Sequence, residues 1–190
     1  MFEVRIHGRG GQGVVTTAEL LSVAAFREGR HAQAFPTFGS ERTGAPVVGF
    51  CRIDDRPIRS HEPIATPDAV IVQDATLIHH PDVLAGLRPD GFLLVNTSRS
   101  LSELGLHSIG WVDRVLTLPA TELALARLGR PLPGAVLLGA FAALTGQVSI
   151  DSVVAAVRDR FSGAVAAGNV AAVHDAYDRT LERTADAIAD

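Results

Sequence analysis

The stretch FEVRIHGRGGQGVVTTAELL, residues 2–21, determines the fold class. Its first six residues alternate apolar and polar side chains, as a half-buried strand does, and the glycine-rich run 8–13 then breaks the pattern. An apolar segment, AELLSVAAFREG, follows, with Thr16 or Thr17 as its predicted N-cap and Gly29 as its end. The order of strand, glycine turn and helix predicts the start of an α/β domain.

The rest of the chain contains further elements of the same class. The apolar runs 69–73 and 92–95 predict buried strands of a parallel sheet. Four helical segments follow from Thr121 onward, separated by glycine or proline, and the last is predicted to begin at Val170. The other expected elements are an ordered loop at 31–46, a strand at 47–53, a hairpin at Asp54 and Asp55 with a short return strand, a short helix at 81–87, a strand at 111–118, and a helix at 150–161 capped by Ser149 or Asp151.

These elements predict a Rossmann-like, three-layer α/β domain. It has a mostly parallel sheet, a hairpin after the first helix, and C-terminal helices. The chain has 190 residues, of which 47% are hydrophobic and 20% charged, as in a folded domain with a substantial core. We therefore expect residues 1–190 to form a single domain.

Charge and hydropathy argue against two classes of partner. The net charge of -4, with no stripe of basic and aromatic residues, predicts no binding to nucleic acid. The first residues carry charges where a signal peptide needs an apolar core, and no apolar run approaches the ~20 residues of a membrane span. We expect a cytoplasmic protein without membrane contact.

Residue usage also limits the chemistry. All 17 basic residues are arginine, so this chain has no lysine for a Schiff base or a Walker-type phosphate loop. The single cysteine, Cys51, is expected to pack within a strand, and it cannot hold an iron–sulfur cluster alone. His79 and His80 are the only close histidine pair, and adjacent side chains point apart. No catalytic residue and no metal site are expected in this chain.

The glycine run matches the pattern G-x-G-x-x-G at Gly8, Gly10 and Gly13. Such a turn lets backbone N–H groups and a helix N-terminus face an anion. The acidic residue that would bind a ribose hydroxyl about 20 positions later is missing, since residues 31–35 are HAQAF, and NAD is therefore disfavoured. Two interpretations stay open: contact with a ligand or partner, or close packing of strand on helix.

Longer motifs resemble one family. HGRGGQGVVTTAELL (7–21), QAFPTFGSERTGAPV (33–47) and FCRIDDRPIR (50–59) resemble, in order and spacing, the gamma subunit of pyruvate and related 2-oxoacid:ferredoxin (flavodoxin) oxidoreductases. PDAVIVQD, FLLVNTS, ATELALARLGRP and VLLGAFAALTGQVS extend the resemblance over nearly the whole chain. One departure is Pro133, Gly134 and Ala135, where the family usually has an Asn-Thr pair. The small subunit of indolepyruvate oxidoreductases shares the GGQG turn but lacks the long FPTFGSERTGAPV stretch, and it is the alternative within related enzymes.

The resemblance implies a division of labour. Alpha and beta subunits would hold thiamine diphosphate and Mg²⁺, [4Fe-4S] clusters would lie on delta or beta, and ferredoxin or flavodoxin would take the electrons. This gamma-type chain would be inactive alone, would close over the active site and would help to position coenzyme A (CoA). The residues expected to do so are Gly8, Arg9, Gly10, Gly11, Gln12, Gly13, Phe38, Gly39, Ser40, Glu41 and Arg42.

Other candidates keep two interpretations each. Arg42, Arg52, Arg56 and Arg59, with Arg5 and Arg9 on a neighbouring strand, suit CoA phosphates, or they pair with nearby carboxylates or a partner subunit. Asp74 and Asn96, at predicted strand ends, would bind a ligand or cap the next segment. For the whole chain the alternatives are a free-standing Rossmann-type nucleotide-binding module and a subunit that only contacts protein.

Overall fold

The computed structural model describes residues 1–37, 43–106 and 114–189, the last four by backbone only. The strands are β1 (Phe2–Arg9), β2 (His31–Pro36), β3 (Pro46–Asp54), β4 (Ala69–Val72), β5 (Phe92–Asn96) and β6 (Val115–Leu118). The helices are α1 (Val14–Arg27), α2 (Pro81–Leu84), α3 (Ala120–Leu128), α4 (Gly134–Thr145), α5 (Ile150–Arg160) and α6 (Gly163–Ala189), with a 3-10 turn at Ala75–Leu77. No helix in these ranges is long and apolar enough to cross a membrane.

The six strands form one sheet in the order β2-β3-β1-β4-β5-β6. β1, β4, β5 and β6 pair in parallel, whereas β3 is antiparallel to both β1 and β2. β3 is thus the one described strand that runs against the others. The mostly parallel sheet and the α/β class are confirmed.

Alternating side chains of the strands enter two separate cores. Val4, Ile6 and Ile71 face a large core beneath α1, α4, α5 and α6, while Val70 and Val72 face a smaller core with α2 and the segment around Leu104. Because successive residues of a strand point to opposite faces, the apolar runs of β4 and β5 serve both cores at once. The three-layer prediction is confirmed.

The loop expected at 31–46 is wrong in its first part, where β2 forms the edge of the sheet. Ala32 and Ala34 pack on the core while Gln33 and Phe35 face the other way, which is strand alternation. Alanine and proline have low β-propensity, so the sequence did not show the two-residue alternation that marks a strand. Pro36 is tolerated because an edge strand does not need every backbone N–H.

The hairpin expected after Asp54 is also wrong. β3 instead forms its hairpin with the preceding strand β2, and residues 55–68 contain no strand. Arg52, on β3, binds the segment 55–68, because its Nη2 donates to the carbonyl of Glu62 at 2.6 Å. Three prolines among residues 57–67 remove backbone donors that a return strand would need.

Helix boundaries differ in two places. α1 begins at Val14, before the predicted caps, and Thr17 instead donates back to the Gly13 carbonyl at 3.0 Å. α6 begins at Gly163 rather than Val170, and Ser149 caps α5 as predicted. The short helix α2, the strands β4 and β5, and Gly29 as the end of α1 are confirmed. Of the strand predicted at 111–118, the part 111–113 lies outside the described residues.

Gly139 lets α4 and α6 touch. A Cβ built at this position would lie 2.2 Å from the carbonyl oxygen of Val173, which is backbone and cannot rotate away. In an ordinary helix, exchanging glycine for alanine gains about 0.5–1 kcal/mol from backbone entropy. At this contact the clash outweighs that gain.

We therefore expect Gly139→Ala to lower the free energy of unfolding by about 2 kcal/mol, as overpacking in a core does. Urea denaturation followed by circular dichroism measures it. Ala167→Gly, on the exposed side of α6, is the reference for ordinary helix propensity in this fold. A gain in stability for Gly139→Ala would refute the close α4–α6 contact.

His7 is a buried titratable group beside the glycine run. Burial, and then the positive charge of Arg5, lower its pKa to about 4, while Asp82 opposes them and His80 adds to them. Its Nε2 is buried, and no partner for it is found among the described residues. The imidazole is therefore neutral at pH 7.

Since the unfolded chain binds this proton near pH 6.5 and the folded chain near 4, acid favours unfolding. We expect His7 to remove up to about 3 kcal/mol of stability as the pH falls across this window. His7→Gln should flatten the profile of unfolding free energy against pH by that amount, and His31→Gln, on an exposed histidine, should not. Identical profiles for wild type and His7→Gln would contradict the assignment.

Candidate functional site

The candidate site lies at the carboxyl edge of the sheet, between β1 and β4. After β1 the chain continues into α1 on one face, and after β4 it continues into α2 on the other face. Where two parallel strands send their connections to opposite faces, a crevice opens outside their carboxyl ends. Residues 8–13 and Asp74 occupy this position.

The glycine run forms a tight turn that starts helix α1. Gly11 has φ 95° and Gly13 has φ 75°, values that other L-residues rarely adopt. Gly13 is the N-cap of α1, and as a glycine it has no side chain to cap the helix. Within the described part of the chain, the first N–H groups of α1 have neither an intrahelical nor a side-chain acceptor, as at many anion-binding helix starts.

Three side chains hold the turn against the end of β4. The Arg9 Nε donates to Asp74 Oδ2 at 3.0 Å, and the Gln12 Nε2 donates to the same oxygen at 3.1 Å. The Gln12 Oε1 also accepts from the backbone N–H of Arg9 at 2.8 Å. This Arg9–Gln12–Asp74 network links both sides of the crevice.

Asp74 is ionised within this network. Burial alone would raise its pKa, but hydrogen bonds from Thr76 and Gln12, with the charge of Arg9, lower the pKa below its ordinary value of 3.8. The same carboxylate caps the 3-10 turn through its bond from the Thr76 N–H at 3.0 Å. Asp74 therefore acts here as a cap and an anchor, which is the second of its two predicted roles.

The start of β3 is bound to the glycine turn. The Gly10 N–H donates to the Ala45 carbonyl at 2.9 Å, and the Gly44 N–H donates back to the Gly10 carbonyl at 3.1 Å. Arg9 Nη1 donates to the Gly44 carbonyl at 3.1 Å. The predicted site residues immediately before this segment, namely Phe38, Gly39, Ser40, Glu41 and Arg42, lie outside the described residues.

Two arginines of the predicted phosphate-binding group are structural. Arg5 is 6% exposed, and its guanidinium donates to the carbonyls of Ile64, Asp82, Val83 and Ala85. Arg52 is 3% exposed and pairs with Glu3 at 2.8 Å. The prediction of a phosphate contact is wrong for both, because their donors are used inside the protein.

The same prediction fails for Arg56 because of strand direction. β3 is antiparallel to β1, so its end at Asp54 lies near Phe2, at the amino edge of the sheet. About eight residues of strand, or about 25 Å, separate that edge from the glycine turn. Of the described arginines in the group, Arg9 is the one that lies in the crevice.

Asn96 also acts as a structural cap. Its Nδ2 donates to the Gln73 carbonyl at 2.7 Å, and its Oδ1 accepts from the Thr121 N–H at the start of α3 at 3.1 Å. Cys51 is fully buried, and burial raises the pKa of its thiol to about 12, in agreement with a packing role. Within the described ranges no three His, Cys, Asp or Glu side chains cluster as metal ligands would.

A cavity of about 460 Å³ opens beside the turn, and sequence reasoning did not find it. It lies between the first residues of α1, α4 and α6 and the last residues of α3 and α5, lined by Gln12, Gly13, Thr16, Thr17, Leu20, Arg127, Leu128, Arg130, Leu132, Gly134, Ala135, Arg160, Phe161, Ala164, Val165 and Asn169. Its three arginines span 33 positions of the chain, from Arg127 to Arg160, so no local motif indicated the cavity.

Gly134 and Ala135, two of the three residues at which the sequence departs from the family pattern, lie in the wall of this cavity. A Cβ at Gly134 would lie 2.2 Å from Thr17 Oγ1, so the glycine lets α4 start directly against α1. Thr17 in turn accepts from the buried Gln73 Nε2 at 2.7 Å. The close contact between the first residues of α1 and α4 therefore explains why a glycine stands at position 134.

Comparison with known proteins agrees with the motif resemblance. The profile of the family "pyruvate ferredoxin/flavodoxin oxidoreductase" matches residues 3–179. The chain belongs to this family. It is 51% identical to the pyruvate synthase subunit PorC of Methanosarcina barkeri over 83% of this chain and 85% of that protein. It is 48% identical to the pyruvate/ketoisovalerate oxidoreductases common subunit gamma of Pyrococcus abyssi, over 95% and 97%.

A solved structure supports the fold assignment. The pyruvate oxidoreductase subunit PORC of Thermotoga maritima superposes with a TM-score of 0.80 and 34% identity, covering 93% of this chain and 95% of that one. The family resemblance to gamma-type chains is therefore confirmed.

The turn geometry depends on Gln12. Gln12→Leu removes one bond to the Arg9 backbone and one to Asp74, and we expect it to lower the free energy of unfolding by about 1–2 kcal/mol. Urea denaturation at pH 7 measures this. Gln147→Leu, which loses only a 3.3 Å side-chain contact with Arg30, is the control. Equal stability of the Gln12 variant and the wild type would show that the network does not hold the turn.

Proposed function

We propose that this chain is the gamma subunit of a cytoplasmic, multi-subunit 2-oxoacid:ferredoxin oxidoreductase acting on pyruvate or a related 2-oxoacid. The observation that carries the proposal is the 48% identity, over 95% of the chain, to a relative named as a common gamma subunit. The overall reaction converts a 2-oxoacid, CoA and two oxidised ferredoxins into acyl-CoA, CO₂, two reduced ferredoxins and a proton. Residues 1–190 act as one domain of this assembly.

The cofactors of this reaction belong to other subunits in our proposal. Thiamine diphosphate with Mg²⁺ on alpha and beta supplies the decarboxylation chemistry, and [4Fe-4S] clusters on beta or delta carry electrons singly to ferredoxin or flavodoxin. The described residues of this chain fit that division, because its single thiol is buried with a raised pKa. The chain alone would be inactive.

Its own contribution is to close over the active site and position CoA. The turn at residues 8–13 presents the start of α1, whose glycine N-cap has no side chain, and such a helix start favours an anionic group. Among the described residues, Arg9 uses three of its five N–H groups on Asp74, Gly44 and Thr76, so that two remain for a phosphate oxygen. Its side chain is 35% exposed, so a ligand has access to it.

Two alternatives have less support. A free-standing nucleotide-binding module does not account for identities of 45% or more to subunits of oxidoreductases along almost the whole chain. An indolepyruvate-type small subunit would share the glycine turn but lack the FPTFGSERTGAPV stretch, whereas the relatives described above are named for pyruvate or ketoisovalerate. The oxoacid itself would be selected mainly by the partner subunits around the thiamine site.

The test uses the purified complex containing Arg9→Gln. We expect the KM for CoA to rise about tenfold, with the KM for the 2-oxoacid unchanged, because one charged contact to a phosphate contributes about 1.5–3 kcal/mol. The measurement is reduction of ferredoxin at varied CoA. Arg42→Ala is expected to act in the same direction.

The matched control is Arg88→Gln. Arg88 pairs with Asp68 at 3.1 Å, much as Arg9 pairs with Asp74 at 3.0 Å, but it lies at the opposite edge of the sheet. It should leave both KM values unchanged. An unchanged KM for CoA in both Arg9→Gln and Arg42→Ala, in fully assembled complexes, would refute the role in positioning CoA.

A further inference from the structure

The two edges of the sheet differ in whether another part of the chain covers them. At the β6 edge, Arg183 of helix α6 donates from Nη1 to the outward carbonyl of Thr117. β2 forms the other edge, and within the described ranges no hydrogen bond reaches its outer side. Proteins usually protect an open edge with charge, a bulge or a covering segment. The sequence of β2, HAQAFP, contains no lysine, arginine, aspartate or glutamate.

The register of the sheet identifies the backbone groups of β2 that point to this open side. The Thr37 N–H donates to the Val48 carbonyl of β3 at 2.9 Å. In an antiparallel pair alternate residues bond to the neighbouring strand, so the even-numbered residues of β2 point their backbone groups outward. Ala32 and Ala34 each present an N–H and a carbonyl there, and Pro36 presents a carbonyl alone.

The outward groups of β2 are complementary to those of a second copy of the chain. When two β2 strands pair antiparallel about a two-fold axis at Gln33, Ala32 of each copy lies opposite Ala34 of the other. Each of these two pairs exchanges two N–H···O bonds, which uses every outward donor of both alanines. The partial charges along the two edges therefore match.

Helix α1 has an exposed aromatic side chain above the same edge. α1 packs over β2 and β3, and Thr17 faces the interior of the sheet, where it accepts from the Gln73 Nε2 at 2.7 Å. Phe26 lies nine residues later, and at about 100° per residue it points to the opposite side, toward the open edge. Its exposed fraction of 71% is the largest among the described large apolar side chains.

Three further residues share this flank of α1 with Phe26, namely Val15, Glu19 and Ser22. The four positions are separated by four, three and four residues, which is the spacing of a seam between two packed helices. α1 lies over both β2 and β3, and neighbouring strands are about 4.8 Å apart. The two α1 helices would thus run antiparallel at about 10 Å, the usual distance of packed helices.

The direction of α1 decides which residues of the seam meet. Val14 lies beside Gly49, the partner of Pro36, and α1 runs from there toward the start of β2. The two-fold axis places the start of one β2 beside the end of the other. Phe26 of each copy therefore packs on Val15 of the other, at both ends of the seam.

We propose that the β2 edge and this flank of α1 form an interface between two copies of the chain. The sheet continues from one copy into the next, and the α1 helices cover the junction. A two-layer face about 20 Å long and about 20 Å deep has a projected area of about 400 Å² on each copy. With the relief of the side chains, this lies near the lower limit of about 1,200 Å² for both partners of a specific interface. The dimer should therefore dissociate on dilution.

The first test measures the mass of the full chain by light scattering over a range of concentrations. Ala34→Pro removes an outward N–H and leaves the bonds to β3 intact, as Pro36 already does. We expect the dissociation constant of the dimer to rise at least about tenfold, because the two-fold axis makes each lost bond count twice. Circular dichroism verifies that the variant is folded.

The second test examines the helix layer. Phe26→Gln should also raise the dissociation constant at least about tenfold, because both apolar contacts of the seam are lost. The matched control is Leu181→Gln. Leu181 is 44% exposed, but it lies on α6, the helix that covers the opposite edge of the sheet, and its replacement should leave the dimer unchanged.

The third test locates the two-fold axis. At the axis Gln33 lies opposite its own copy with Cα atoms about 4.5 Å apart, so Gln33→Cys should form a disulfide-linked dimer under oxidising conditions. His31→Cys, on the same face of β2, would lie about 13 Å from its copy and should not cross-link. The native Cys51 is fully buried and does not compete.

Three outcomes would overturn the inference. One is a folded full chain that is monomeric at every concentration, and another is a dimer that both Ala34→Pro and Phe26→Gln leave unchanged. The third comes from Gln33→Cys in the purified multi-subunit complex, where a covalent product with a different subunit would show that the edge pairs with a partner strand. A product that joins two copies of this chain supports the interface. The KM measurements with Arg9→Gln test the proposed function separately.

Discussion

The Asp74 carboxylate joins the two strands on which the candidate site depends. It accepts from Arg9 and Gln12 on one side of the crevice and caps the 3-10 turn on the other. Arg9 and Gln12 are the two residues of the turn 8–13 that have side chains, because the other four are glycines. Their bonds to Asp74 are therefore the side-chain contacts that stabilise the backbone geometry of the turn. An ionised carboxylate is required, because a protonated one would lose the attraction of Arg9.

The arginines on the sheet differ in whether their side chains are accessible to a ligand. Arg5 and Arg52 face inward and use backbone carbonyls and Glu3, so their charges stabilise the far half of the sheet. Arg9 has an identical side chain but lies at the carboxyl end of β1, where it is partly exposed. Position along a strand therefore separates the buried arginines from the accessible one, and residue type does not.

The α/β class, the parallel core strands and the glycine turn were predictable from the sequence. Strong apolar runs such as AVIV in β4 leave few alternatives, and three glycines between a strand and a helix have a specific backbone use. β2 was not predictable, because an edge strand rich in alanine lacks the β-branched residues that mark strands. For the same reason the predicted hairpin of β3 was given the wrong partner, a return strand after Asp54 in place of β2.

The turn of the candidate site could be identified from the sequence, and the cavity beside it could not. Residues 8–13 form one turn, so a motif identifies them, whereas Arg130 and Arg160 line one cavity only after α3, α5 and α6 have packed. Asp74, at a strand end, was expected either to cap the next segment or to bind a ligand. The fold shows that its carboxylate oxygens already accept hydrogen bonds from Arg9, Gln12 and Thr76.

The same packing agrees with the role of this chain as one subunit of a larger enzyme. Arg5, Arg52 and Gln73 are buried and bond within the protein, and three arginines line the cavity beside the glycine turn. A recess with positive charge and apolar walls can bind an anionic ligand. In the proposed function, the reacting end of that ligand extends to an active site on a partner subunit, where remote binding contributes to catalysis.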